Sequence, residues 1–369
     1  MSSETAATAH ILTAISGHGY GHLAQCAPIL EALKADNPRL MVSICSVFPR
    51  ELIARRLAIP FNYHFAELDP VLQMRSAWEV DVPASQRVYR TFHRHWEAGM
   101  QRDRALLTEL APDLVLADIP YRLLLAAQAL HIRAVALCSL NWADVYAAYC
   151  EPDGKDAAIL AQMHEAYRSA HCFLLPQPAM PMPQLENTRA IGPVARQGRA
   201  QKAALNALCG KPPATRIVLV ALGGIDTDMP LTHWPRSANT VWLFASAVHA
   251  IRDDMLDLDA LPMSFIDVMA SADVVLTKPG YGTYCEAVCN GVAVLSLQRD
   301  DWPETAVLNR WVTAYGRLGT FSADQFRRGA FLPELTALLS MDVPAAVYPA
   351  GIKEAVHILQ GLLPVTRSA

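Results

Sequence analysis

Several signatures are missing from this chain, and each absence removes a class of function. No two cysteines have C-x-x-C spacing, and Cys285 and Cys289, one helical turn apart, have no histidine or further cysteine nearby to complete a zinc set. No Gly-Lys-Ser/Thr closes a phosphate loop and no G-x-G-x-x-G follows a strand, which argues against P-loop and nicotinamide-binding folds. No Asp-x-Asp pair stands where it would hold a metal against a diphosphate, so neither a metal nor a cofactor is expected. No stretch reaches the roughly 18 apolar residues that a membrane span needs. The N-terminus carries Glu4 and lacks a basic segment, which argues against a signal peptide. Repeats and low-complexity tracts are absent, and residues 176–183 are only locally proline-rich, as in a surface connection. Charge is scarce as well. Only 18% of residues are charged, and 31 basic against 35 acidic residues leave a net charge of -4, which argues against a general polyanion binder though not against one local basic face.

What is present points to buried parallel sheets. Hydrophobic residues make up 52% of 369 positions, too long a chain for one ordinary core, so two domains are expected. The boundaries read as 1–187 for an N-terminal domain, 188–197 for a hinge around residues 190–194, and 198–369 for a C-terminal domain. The eight cysteines fall mostly in apolar segments, where a free thiol behaves as a small core residue, and this predicts a reduced, cytoplasmic setting.

Residues 10–16 read as a buried strand, followed by a glycine turn and a helical stripe at 23, 26, 27, 30 and 33. Strands over 40–47, 61–65, 114–118, 134–138 and 172–175 alternate with helical segments, one of them long, over 84–110. Residues 216–222 open a second unit of the same kind, with strands over 241–245, 274–276 and 292–297, and a mostly helical remainder. This is an α/β pattern of two doubly wound, Rossmann-like domains, in which ligands bind outside the carboxyl ends of the strands.

Four constellations lie at such ends or beside them. In the first, Gly17, Gly19 and Gly21 alternate with His18 and Tyr20 and precede His22. Glycines there let backbone N–H groups approach a phosphate or sugar, and imidazole is the natural base near neutral pH; the plainer alternative is a tight strand-to-helix turn. Asp118, the second, ends an apolar strand, where an unpartnered carboxylate is costly. It either orients one of the histidines or caps the helix that starts at Tyr121. The third is Thr277-Lys278-Pro279-Gly280-Tyr281-Gly282-Thr283, with Glu286 about one turn into the following helix. A helix N-terminus opened by glycines suits an anion, and Glu286 suits a hydroxyl-bearing group beside it; a Pro-Gly turn with a dipole-favoured carboxylate is the alternative. Gly223, Gly224, Asp301 and Glu304 occupy other strand ends of the same domain. The fourth is a helical face with Arg87, Arg90 and Arg94, suited to anionic lipid or an acidic acceptor, although a solvated helix face is the commoner reason for such a stripe.

Residues 16–22, 116–118, 140–146, 191–193, 222–224, 273–286 and 302–304, taken in order, resemble the GT-B glycosyltransferases. They are similar to the group containing the N-acetylglucosaminyltransferase that completes lipid II, and more closely to the glycosyltransferase-like N-terminal region of plant L-arabinokinases and their bacterial relatives. The resemblance implies two domains facing a cleft and metal-independent, inverting transfer of a hexosyl or N-acetylhexosaminyl group. The donor would be a nucleotide-sugar substrate, UDP-linked in this group, and the acceptor is not specified. It implies Glu286 on the donor ribose, Gly280, Gly282 and Thr283 at the diphosphate, Asp301 and Glu304 near the donor sugar, and His22 near the reaction centre, with His18 its rival as base. Lys278, Gly17, Gly19, Gly21, Gly223 and Gly224 join the donor-binding set. Two departures stand out: the link after Gly224 is short, and no kinase portion follows. An epimerase or hydrolase of the same fold, or a sugar-nucleotide-binding module without catalysis, are the competing readings. Placement is expected in the cytoplasm, with peripheral contact at the inner membrane face through the arginine stripe.

Overall fold

The apolar runs become parallel strands, and the glycine turns end them. The computed structural model describes residues 8–76, 79–150, 154–223, 229–237, 239–245 and 252–364. Strands β1 (His10–Ile15), β2 (Met41–Ser46), β3 (Asn62–Phe65), β4 (Met74–Ser76), β5 (Glu79–Val80), β6 (Leu114–Asp118), β7 (Arg133–Leu137), β8 (Cys172–Pro176) and β9 (Thr188–Ile191) come first. They are followed by β10 (Arg216–Ala221), β11 (Thr240–Phe244), β12 (Met255–Asp257), β13 (Val274–Thr277), β14 (Ala293–Leu297) and β15 (Leu318–Phe321). The chain divides into two compact units, one of Met1–Gln73, Val80–Val194 and Ala350–Ala369, the other of Met74–Glu79 and Ala195–Pro349.

In the first unit seven strands lie in the order β3-β2-β1-β6-β7-β8-β9, and the pairs are parallel. All six residues of β1 are buried, as expected of a strand covered on both faces by helices. The order reverses between β1 and β6, where Ile15 stands opposite Asp118. At that switch point the two connections leave in opposite directions and open a crevice. The helical segment expected over 84–110 is two helices, Val82–Arg94 and Trp96–Leu110, broken at His95.

The division between units differs from the expected one at both ends. Thr188–Ile191, placed in the hinge by sequence, is the edge strand β9 of the first sheet. The chain end, expected to belong to the second domain, returns to the first: helix Gly351–Leu362 packs on helix Tyr20–Asp36. Its stripe of Ala355, Val356 and Leu359 is buried there, and Glu354 Oε2 accepts from the Gly192 N–H at 2.7 Å. A side chain at Gly351 would collide with the Gly192 carbonyl, so the close crossing needs glycine.

The second unit has the order β12-β11-β10-β13-β14-β15, again with parallel pairs. Its switch point lies between β10 and β13, where Ala221 is opposite Thr277. The edge strand β15 interrupts the remainder that sequence reads as mostly helical. It is short and only partly buried, so it lacks a continuous apolar run. The connection from β10 to β11 contains a 3-10 turn, Leu231–His233, and no α-helix among the described residues. Trp234 takes over the covering role, with ring centroids 5.2 Å from Trp242, 5.7 Å from Phe326 and 5.3 Å from Phe331.

Candidate active site

Gly17 follows β1 without room for a side chain, since a Cβ there would collide with Val47. A Cβ built at Gly19, or at Gly21 as the second residue of the next helix, would meet no described residue within 4 Å beyond its chain neighbours and its own helix. Helix Tyr20–Asp36 then begins, and its third residue, His22, turns inward and is buried. His22 Nδ1 lies 2.7 Å from Asp118 Oδ1, and Asp118 is fully buried. Burial pushes the Asp118 carboxyl up, and His22 opposes this as its largest counterweight. Cys26, one turn further along the same helix, donates its thiol to Asp118 Oδ2 at 3.6 Å. Burial, and after it Asp118, pushes that thiol well above its usual range, so it stays a donor. With Asp118 ionised, the proton shared with His22 sits on Nδ1 and the lone pair on Nε2.

His18 stays in the turn, its ring 4.9 Å from that of Trp142, which also lies 5.5 Å from His22. Trp142 Nε1 donates to Asp69 Oδ2 at 3.0 Å. Burial pushes the Asp69 carboxyl up to about 6, against the pull of Ser16 and, after it, His22 and Trp142. Sequence reasoning missed Asp69, which lies in an Asp-Pro turn beyond β3 and in no motif. Nδ1 of His22, a carboxylate oxygen of Asp118 and Cys138 Sγ lie within 4.8 Å of one another, a set able to hold a metal ion. The 2.7 Å between Nδ1 and Oδ1 is a hydrogen-bond distance, so a metal would have to displace the shared proton. Beside this group a cavity of about 1010 Å³ is lined by Gly17, Asp69, Arg87, Phe92, Arg102 and Arg122 among others.

The arginine stripe is divided in its uses. Arg90 forks onto the buried Asp156 at 2.8 and 2.6 Å, Arg87 lines the cavity, and Arg94 is exposed. The middle residue of the expected lipid-contact face is thus held in an ion pair. Among the described residues no helix is long and apolar enough to cross a membrane.

In the second unit Thr277 ends β13, and its hydroxyl donates to the Ala221 carbonyl at 2.6 Å, tying the two switch-point strands together. Gly280 precedes helix Tyr281–Cys289 in an extended conformation and gives it no side-chain cap. Gly282 and Thr283 are the second and third helical residues, both partly exposed, and Glu286 is buried in the sixth position. Gly223 has φ +90, which favours glycine, and a Cβ there would stand 3.5 Å from Lys278 Cε. Gly224 lies outside the described residues. Glu304 is buried and accepts from Trp302 Nε1 at 3.4 Å, while the Asp301 side chain is 53% exposed. Burial, with Arg299 next in weight and Glu304 opposing, lowers Lys278 to about 8. Lys278, Glu304 and Arg299, the last unforeseen from sequence, therefore share one electrostatic environment.

No protein-family model matches the chain. Solved structures align along nearly its whole length. A UDP-glucosyltransferase from Polygonum tinctorium that glucosylates indoxyl superposes with a TM-score of 0.64 at 13% identity, over 97% of this chain and 99% of that one. A calicheamicin glycosyltransferase gives 0.62 at 16%, over 96% and 94%. A putative UDP-N-acetylglucosamine 2-epimerase from Listeria monocytogenes gives 0.58 at 14%, over 96% of each chain. At such identities the likeness establishes the fold: two Rossmann-like units of the GT-B class. In sequence, the chain is 26% identical to the L-arabinokinase of Arabidopsis thaliana over 383 residues, covering 96% of this chain. It spans 35% of the length of that relative.

Proposed function

We propose that this protein is a glycosyltransferase that moves a hexosyl or N-acetylhexosaminyl group from a UDP-sugar to an acceptor, with inversion and without a metal. The observation that carries the reading is the buried His22–Asp118 pair at the switch point of the first unit, 2.7 Å apart, with the Trp142 ring 5.5 Å from that of His22. Such a pair holds an imidazole in the tautomer a general base needs. Its neighbouring cavity of about 1010 Å³ has room for an acceptor.

In this reading the acceptor oxygen or nitrogen bonds to the anomeric carbon and its proton passes to Nε2 of His22. The bond from the anomeric carbon to the diphosphate breaks, and the electron pair leaves with the nucleotide. Asp118 keeps the ring oriented and stabilises the imidazolium. His18, against Trp142, is the alternative base. The second unit binds the donor: Glu286 on the ribose hydroxyls, the Gly280–Thr283 turn and Lys278 at the diphosphate, and Glu304 and Asp301 toward the sugar. The resemblance to the glycosyltransferase-like part of L-arabinokinases supports a sugar-nucleotide donor. A panel of UDP-, GDP- and dTDP-sugars, followed by release of nucleoside diphosphate with candidate acceptors, tests the proposal. Wild-type protein that releases no nucleotide from any donor would sink it.

The fold likeness to an epimerase keeps a second reading in play, in which the donor reacts without an acceptor. NMR of the anomeric and C2 protons with donor alone separates the two. Exchange at C2 favours epimerisation, and a silent spectrum that changes only on adding acceptor favours transfer.

A further inference from the structure

Arg299 stands two residues beyond β14, on the loop that follows the strand. Its side chain is only 3% exposed, and its Nε and Nη2 groups are shielded from solvent yet donate to no acceptor among the described residues. The carboxylate of Asp301 lies 3.8 Å from Nε, beyond hydrogen-bond reach, and faces solvent. The guanidinium is held in place all the same: its Cζ lies 4.4 Å over the Trp302 ring, and its backbone carbonyl accepts from the Thr305 hydroxyl at 2.8 Å. Unsatisfied N–H groups on a buried cation are costly, and a protein keeps them at a site where something else completes them. Lys278 is half-buried just past the neighbouring strand β13, whose Thr277 stands opposite Ser296 of β14, and it precedes helix Tyr281–Cys289, whose N-terminus has no side-chain cap. Glu304 is the buried carboxylate that shares this environment. The missing component is an oxyanion.

We infer that Arg299 is a ligand of the donor's diphosphate, closing with Lys278 a two-cation clamp on the phosphate oxygens. The inference rests on the sugar-nucleotide reading above and adds a residue and a role to it. When the anomeric carbon–oxygen bond breaks, negative charge grows on the terminal phosphate oxygens, and a preorganised guanidinium there stabilises it without rearranging. The clamp is unbalanced until the anion arrives, so Arg299 costs the empty protein stability and returns it on binding.

Arg299→Met removes the charge and keeps much of the side-chain volume, and Arg299→Lys keeps the charge and loses the fork. Thermal unfolding and calorimetry with inorganic pyrophosphate, UDP and uridine read the outcome. For R299M the ligand-free protein is expected to melt at or above the wild-type temperature, stabilisation by pyrophosphate is expected to vanish, and UDP affinity is expected to fall roughly 10- to 100-fold. Uridine binding stays as in wild type, and R299K falls between the two. A ligand-free R299M that melts lower or fails to fold, or pyrophosphate binding equal to wild type in both variants, overturns the proposal. So does a loss confined to UDP-glucuronate, which would assign Arg299 to a sugar carboxylate. If wild type binds pyrophosphate through Arg299 but turns over no sugar nucleotide, the clamp stands and the transferase reading falls.

Discussion

The two units place their functional side chains at equivalent points of equivalent parallel sheets, but they handle buried charge in opposite ways. In the first, Asp118 is fully buried and both of its oxygens are engaged, by His22 at 2.7 Å and Cys26 at 3.6 Å. In the second, Arg299 is buried with two N–H positions unfilled, and Lys278 is lowered to about 8 by burial and by Arg299. On the proposed roles, His22, which would take a proton, is set in its working geometry before any ligand binds, whereas Arg299, which would grip an anion, is left incomplete until the anion arrives.

This contrast breaks if variants on the two sides give the same kinetic signature. His22→Ala is expected to lower kcat by about 10²–10⁴-fold while leaving UDP affinity at the wild-type level. Parallel turnover assays and calorimetry check it, and an equal loss in Kd would erase the distinction. Glu286→Ala should do the reverse, weakening UDP roughly 10- to 100-fold, the scale of a charge-assisted hydrogen bond, with kcat at saturating donor little changed.

Asp69 sharpens the comparison through pH. Its folded pKa of about 6 lies above the model-compound value of 3.8, so the folded state holds a proton that the unfolded chain has already released. Stability contributed by Asp69 therefore falls as pH rises from about 4 to 6, with a slope below the one-proton limit of about 1.4 kcal/mol per pH unit. Asp69→Asn should flatten that part of the denaturation-versus-pH curve. An unchanged slope would mean that Asp69 is ionised in the folded protein throughout. The smallest effect is expected at Arg94, exposed on the helix whose Arg90 is held by Asp156. Arg94→Ala should shift stability by no more than about 0.5 kcal/mol. It should also leave sedimentation with anionic vesicles at the wild-type level; a marked drop would restore the lipid-contact reading.

Much of this architecture could be read along the chain. The strands of β1, β6, β10 and β13 are short apolar runs, and glycines after β1, β10 and β13, with Pro120 after β6, mark where the backbone turns. Thr277, Lys278 and Gly280 could be placed at a strand end for that reason, as could His22 and Asp118. Other parts left no such trace. Asp69 sits in an irregular turn, Arg299 looks like any charged loop residue, and β15 is too short and too exposed to stand out. Trp234 reads as an isolated aromatic, although it covers the sheet where a longer link would supply a helix.

The limit between the two kinds of knowledge is physical. Strand, turn and helix arise from backbone sterics and from the period of apolar side chains, which are properties of neighbouring residues. The α/β class and the glycine turns followed from those alone. Which charges meet depends on strand order: His22 and Asp118 are 96 positions apart and touch because β1 and β6 are neighbours. The same holds for the last helix, which along the sequence reads only as part of a mostly helical remainder. Only the folded chain put it on helix Tyr20–Asp36, and only the folded chain buried Arg299 with its Nε and Nη2 short of a hydrogen-bond acceptor among the described residues, because burial and Coulomb interactions act through space and not along the sequence.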